Sequence, residues 1–148
     1  MLKGFERRKW RRKTDETDNL FDYSYHQSGS IPGTLRIKPH AAIPQIDAID
    51  YTAETAIRSR NLVPIDCQEY LQTPSVSWVD VAGVGDAETF KALGAIFGLH
   101  PLLLEDIVNV PQRPKLANYA DRLAIITQMA IAKPDRNGFW LEQVSLII

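Results

Sequence analysis

The chain is almost without cysteine: Cys67 is alone among 148 residues. A single thiol excludes an internal disulfide and a cysteine-rich metal site, and it fits a reducing compartment. Long apolar runs are also missing. No stretch of about 18 apolar residues occurs, so no helix read from this sequence spans a bilayer. The opening MLKGFERRKWRRKTDETD has no apolar segment after its charges and is not a secretory signal. The histidines are few and scattered, at positions His26, His40 and His100, which gives no zinc-ligand spacing. There is no Gly-x-Ser-x-Gly elbow, no Walker loop and no Cys–His pair. Without a nucleophile–base arrangement, the sequence offers no enzymatic chemistry.

What is present is one ordinary domain's length of chain, enough to bury a core without covalent staples. The net charge of −1 hides an asymmetry. Residues 1–13 hold seven basic residues and one acid, and the other 135 hold ten and seventeen. The body is therefore mildly acidic, which argues against a nucleic-acid surface. Residues 1–32 read as a disordered basic tail: polar, aperiodic, and closing on Ser28-Gly29-Ser30. Arg7, Arg8, Lys9, Arg11, Arg12 and Lys13, with Trp10 among them, would also suit an arm on anionic lipid headgroups.

From residue 33 to 148 the pattern is that of a folded domain. Pro32-Gly33 is turn chemistry. Thr34–Ile37 alternates as a first strand and Gln45–Tyr51 as a second, and Ala53–Ser59 reads as a short helix. Pro64 and Pro74 punctuate an ambiguous stretch. Ser75–Val81 is rich in β-formers. Asp86–Phe97 is the clearest helix, capped by Asp86, with Phe90, Leu93, Ile96 and Phe97 on one face and Gly98 as its stop. Leu116–Tyr119 reads as extended. Arg122–Ile131 and Phe139–Ile148 alternate around Pro134–Gly138 and pair as an antiparallel hairpin. Trp78, Phe90, Phe97 and Trp140 fall within periodic segments and are assigned to the core. The whole reads as α/β, with layers around a mixed central sheet. The last residues, Val144–Ile148, are an apolar strand without a polar tail, as expected of a piece of a longer protein.

His100–Lys115, HPLLLEDIVNVPQRPK, concentrates the chemistry. Pro101 suits a first helical position. At about 100° per residue, Leu103, Leu104, Ile107 and Val108 share one face, while Glu105 and Asp106 straddle the opposite one with Leu102 between them. Both acids lie near the helix's negative end, which disfavours them by up to ~1 kcal/mol unless a cation or a partner surface offsets it. Adjacent helical carboxylates diverge and cannot easily chelate one ion. Each could give an oxygen to a hard cation completed by water or another chain, an arrangement suited to Mg²⁺. From spacing alone the favoured reading is a pair of surface acids bonded to a nearby base, Arg113 or Lys115, because surface ion pairs are common. Gln112-Arg113-Pro114-Lys115 lacks the glycines of a phosphate cradle, so Arg113 is read as pinning the loop to a carbonyl or carboxylate. His100 is read as standing at the helix entry.

The same stretch, with its Leu-Glu-Asp-Ile and Gln-Arg-Pro-Lys elements, resembles the signature of CorA-type magnesium and cobalt transporters. Pro32-Gly33-Thr34-Leu35 resembles that family's opening strand, Trp78–Gly83 its Trp-containing strand, and Glu142–Leu146 the strand after its hairpin. The resemblance runs from about Pro32 to the end, so residues 33–148 form a CorA-like domain. Pro111 departs from it, standing where many members carry another residue, often His. It implies an α/β/α layered cytoplasmic domain of a pentameric Mg²⁺/Co²⁺ channel, without enzymatic activity. It further implies that Glu105 and Asp106 help hold regulatory Mg²⁺, with Co²⁺ as an alternative ion, between subunits of a homo-oligomer. The parent would sit in the plasma (inner) membrane through a missing C-terminal part, which also carries the stalk helix, both transmembrane helices and the Gly-Met-Asn pore motif. Two other readings stay open: the equivalent domain of a related zinc transporter, and a free-standing α/β binding module.

Overall fold

A computed structural model describes residues 31–119, 121–134 and 138–148. Residues 1–30 of the expected tail, and the middle of the expected turn at 135–137, lie outside the described residues.

The first sheet is built from β1 (Gln45–Tyr51), β2 (Ala56–Leu62) and β3 (Val76–Ala82), in the order β2-β1-β3 and antiparallel throughout. Ala53–Ser59 is therefore not a helix. The Thr52 hydroxyl accepts from the backbone N–H groups of Glu54 and Thr55, both at 3.2 Å, and turns the chain back along β1. Cross-strand pairing overrides the helix propensity of Ala and Glu, which is a weak preference. Between β2 and β3, Pro64–Leu71 forms a 3₁₀ segment with Pro64 in its first turn. Asp66 accepts the Val63 N–H at 2.9 Å at its entry.

Helix α1 (Ala87–Phe97) follows the cap read from the sequence: Asp86 accepts from the N–H groups of Glu88 and Thr89 at 3.2 and 3.1 Å. Gly98 ends it in the left-handed region at φ 64, where a Cβ is costly. Phe90 and Leu93 are its buried large side chains, and Leu93 packs with Cys67 of the 3₁₀ segment and Ile46 of β1, with Leu62, Val79, Val81 and Phe97 around them. This is the first core.

Helix α2 (Pro101–Val108) lies between that unit and a second sheet of β4 (Lys115–Tyr119), β5 (Arg122–Ala132) and β6 (Phe139–Ile147), order β4-β5-β6. The β5–β6 pairing from Ala124↔Ile147 to Ala132↔Phe139 is the hairpin expected from alternation, closed by Lys133 N–H donating to Gly138 O at 3.1 Å. Leu103, Leu104 and Val108 of α2 are buried, as are Ala124 and Ile126 of β5.

Three further expectations are corrected. The architecture is α/β, but among the described residues there are two antiparallel three-stranded sheets rather than one mixed central sheet. A mixed sheet needs a parallel pair across a helical crossover, and no ladder joins β3 to β4, β5 or β6. Thr34–Ile37 alternates, yet joins no sheet, because alternation specifies a strand only where a partner supplies hydrogen bonds. Trp78 is 55% exposed and Trp140 is half-buried, whereas Phe90 is buried and Phe97 packs on the core. In β3 the inward positions belong to Val79 and Val81, so period-2 alternation sends Trp78 to the other face.

Candidate functional site

Helix α2 starts where its sequence says it should. His100 is the N-cap in extended conformation, its Nδ1 accepting from Leu102 N–H at 3.2 Å, and Pro101 takes the first turn, where a missing N–H costs nothing. The apolar face is inward, with Ile107 at its half-buried edge, and Leu102 is 40% exposed. Glu105 and Asp106 stand half-buried on the helix's other side and diverge.

Glu105 reaches the N-terminal segment. Its Oε2 accepts the backbone N–H of Gly33 at 2.5 Å. Gly33 has φ +82, and a Cβ there would lie 3.1 Å from the Pro101 Cβ, so this close approach of turn to helix requires glycine.

Asp106 reaches the second sheet. Lys115 Nζ lies 2.7 Å from its Oδ1, and Gln112 Nε2 donates to the same oxygen at 3.1 Å. Tyr119 donates its hydroxyl proton to Oδ2 at 2.5 Å. Lys115 and Tyr119 are four apart in β4, which puts both on the face turned to α2. Burial pushes the Asp106 carboxyl up, but the hydrogen bonds from Lys115, Tyr119 and Gln112 and the lysine's charge outweigh it and hold the group below the usual carboxylate range. Burial, the bond to Asp106, and the Asp106 and Glu105 charges push the Tyr119 phenol up to about 12.

The carbonyls at the end of α2 are met by glutamines. Gln143 of β6 sends Nε2 to the Asp106 and Ile107 carbonyls at 3.4 and 3.5 Å and accepts Gln112 N–H at 2.8 Å. Gln128 of β5 donates to the Gln112 carbonyl at 3.4 Å. Helix C-termini leave such carbonyls without intrahelical partners, so these amides fix α2 and its following loop on the sheet.

Both candidate residues are thus on α2, as the sequence placed them, but they are not brought together on one point. Of the bases named as possible partners, Lys115 pairs with Asp106. Tyr119, Gln112 and Gln143 are members of the site that the motif did not disclose. The signals were there: a tyrosine in phase with Lys115, and a glutamine inside the apolar run Phe139–Ile148.

Among the described residues no group of three His, Cys, Asp or Glu side chains converges to hold a metal. A carboxylate offers about four lone-pair positions, and Lys115, Gln112 and Tyr119 occupy three at Asp106. The one left, on Oδ2, would be a single ligand beside an ammonium, so a Mg²⁺ ion there would need its other ligands from water or another chain.

No protein-family model matches the chain. The cobalt/magnesium transport protein CorA of Thermotoga maritima (strain ATCC 43589 / DSM 3109 / JCM 10099 / NBRC 100826 / MSB8) is 28% identical to it over 104 residues. This chain is CorA-like. The match covers 70% of the chain and 30% of that CorA protein, so the likeness is to a part of a transport protein. No helix among the described residues is long and apolar enough to cross a membrane.

Proposed function

We propose that this chain is the cytoplasmic regulatory domain of a pentameric divalent-cation channel selective for Mg²⁺ or Co²⁺, anchored in the plasma membrane by segments outside the chain. Its likeness to part of a CorA transport protein supports that context. The observation that carries the reading at the site is the divergence of Glu105 and Asp106 on α2, each with a different partner and without converging ligands among the described residues. Such a pair does not enclose an ion. It suits a shared site, completed by acids of a neighbouring subunit and by water.

The function is charge-screened docking. A divalent ion at the seam neutralises carboxylates on adjacent subunits, so the closed ring is favoured. When cytoplasmic Mg²⁺ falls, the uncompensated carboxylates repel and the open state gains population. The shift is set by the difference in ion affinity between the two states.

The test is made in the full-length protein. Glu105→Ala with Asp106→Ala should abolish Mg²⁺-dependent protection from limited proteolysis while leaving the circular dichroism spectrum unchanged. Protection equal to that of the unsubstituted protein removes the sensing role.

A further inference from the structure

Residues 34–39 run outside both sheets, between two residues in the left-handed region, Gly33 at φ 82 and His40 at φ 69. The two ends of this span are held differently. On the C-terminal side the chain crosses the exit of β3. Gly85 N–H donates to the Ala42 carbonyl at 2.7 Å, and a Cβ at Gly83 would lie 2.6 Å from that same oxygen. Backbone lies against backbone there, so this end is an anchor that glycine alone permits. On the N-terminal side the hold is a hydrogen bond to a side chain, from the Gly33 N–H to the Glu105 carboxylate. Beneath the span lies an apolar hollow of about 280 Å³, lined by Leu35 above and by Lys91, Ala95, Leu99, Pro101 and Leu104 below. Leu35 and Ile37 are half-buried while Thr34, Arg36 and Lys38 are exposed, the alternation of an extended segment laid on a surface. Segments packed this shallowly, with few backbone hydrogen bonds, open locally well before the domain unfolds.

We propose that residues 34–39 are a hinged strap: it swings at His40 from the Ala42 anchor, and the Glu105 carboxylate is the latch that holds its other end shut over the hollow between α1 and α2. Hinges are positions that absorb a large change in φ and ψ. His40 sits in a region that residues with a β-carbon seldom occupy, so rotation there leads to a more relaxed backbone. The alternation of Thr34–Ile37, which meets no ladder, is explained as that of a cover. Because the latch stands on α2, the positions of the strap and the helix are linked. Whatever draws Glu105 away from Gly33 favours the open strap and uncovers the groove. The device needs no ion and is independent of the sensing role proposed above for the same acid.

Latch, hinge and anchor all lie within the 148-residue chain, so the experiment is complete in it. Nitroxide labels on Arg36→Cys and Glu88→Cys, two exposed positions, report the distance from strap to α1 by double electron–electron resonance. The buried Cys67 is replaced by Ala in the labelled chain. With Glu105 present the distances should form one narrow population. Glu105→Ala should raise the share of a longer, broader population roughly tenfold, the effect of losing one hydrogen bond to a charged acceptor. Glu105→Gln keeps an acceptor oxygen and should stay within about twofold of the unsubstituted latch. A second measurement needs no substitution and stands even if the labelled chain fails to fold. The Gly33 amide should exchange hydrogen at a rate that up to roughly 1 M urea leaves unchanged, because opening a short span exposes little surface. The Leu93 amide in α1 should speed up with urea, as a group released by global unfolding does. A distance distribution that is already broad with Glu105 present, or that Glu105→Ala does not change, overturns the latch. A Gly33 exchange rate with the urea dependence of Leu93 overturns the strap, because the span then leaves the helices only when the domain unfolds.

Discussion

Tyr119 and Asp106 are joined across the space between β4 and α2 by a hydroxyl–carboxylate hydrogen bond of 2.5 Å. The same bond keeps the proton on the phenol and the charge on the acid. Tyr119 is held up at about 12 by burial, by this bond and by the Asp106 and Glu105 charges. A neutral acid with a raised value stabilises the fold fully below its unfolded value near 10, and that contribution disappears as pH rises through about 12. A spectrophotometric titration at 295 nm should show one tyrosine ionising later than the rest in the native chain. In Asp106→Ala that late component should move back toward the others. Tyr119→Phe should cost about 1.5–3 kcal/mol in urea unfolding at pH 7, the range of a bond to a charged acceptor, and the cost should shrink as pH rises from about 10 to about 12.

Glu105 is expected to tether the N-terminal segment. Its Oε2 accepts the Gly33 N–H, at a turn whose φ of +82 no β-carbon suits. Glu105→Ala removes the acceptor and should raise the rate of proteolytic cleavage between residues 34 and 40 several-fold, with a global loss of about 1 kcal/mol. Glu105→Gln keeps an oxygen in place and should restore most of the protection. Gly33→Ala should mimic Glu105→Ala, because the new methyl meets Pro101 at 3.1 Å in a left-handed conformation. Cleavage rates equal to the unsubstituted chain's in both alanine variants would show that other contacts hold the segment.

How far the sequence disclosed this arrangement depended on how local each signal was. The caps of α1 and the Pro101 start of α2 rest on contacts within a few residues, the buried Leu103-Leu104 pair and the β5–β6 hairpin on apolar periodicity, and all were legible. Ala53–Ser59 was misread because its strand character comes from β1, not from its own composition. Thr34–Ile37 was misread for the converse reason: its alternation meets no ladder. At the site, the two acids announced themselves through an odd outward face, but their partners come from β4, β6, Gln112 of the loop after α2 and the Gly33 turn. Tertiary hydrogen bonds of this kind leave only faint traces, such as the phase of Tyr119 with Lys115.

Asp86 gives an acid-side prediction. The Thr89 hydroxyl and backbone N–H, helped by the Glu88 N–H, hold its carboxyl below the ordinary value against the opposing effect of desolvation. A carboxylate with a depressed folded value contributes stability above its unfolded value near 3.9, and loses it as pH falls through the lower, folded one. Asp86→Ala should therefore lower the melting temperature at pH 7. The gap between variant and unsubstituted chain should close progressively below about pH 4 as the cap protonates. A gap independent of pH between 7 and 2 would mean that the charge of Asp86 has no part in capping α1.

Asp47 carries the largest expected stability effect outside the site. It lies in β1 at 1% exposure, where an unpaired charge is hard to tolerate. Arg58 of β2 donates Nη2 to its Oδ2 at 3.0 Å, and the Asn61 N–H donates to Oδ1 at 3.2 Å. Asn61 has φ 55 and lies in the bulge opposite Asp47, where the β1–β2 register shifts between Ile46 and Ala48, and this conformation accompanies the N–H bond to the carboxylate. Removing Arg58 takes away the ion pair to that acid. The usual penalty for breaking a buried pair, about 3–5 kcal/mol, is reduced here because the arginine side chain is 37% exposed and water can follow it in. Arg58→Met should cost about 2 kcal/mol in urea unfolding. Asp47→Asn in the same background should recover part of that loss, since an amide can still accept from Asn61 and no longer brings a charge into the sheet. A double variant less stable than Arg58→Met alone would show that the Asp47 charge is satisfied without Arg58.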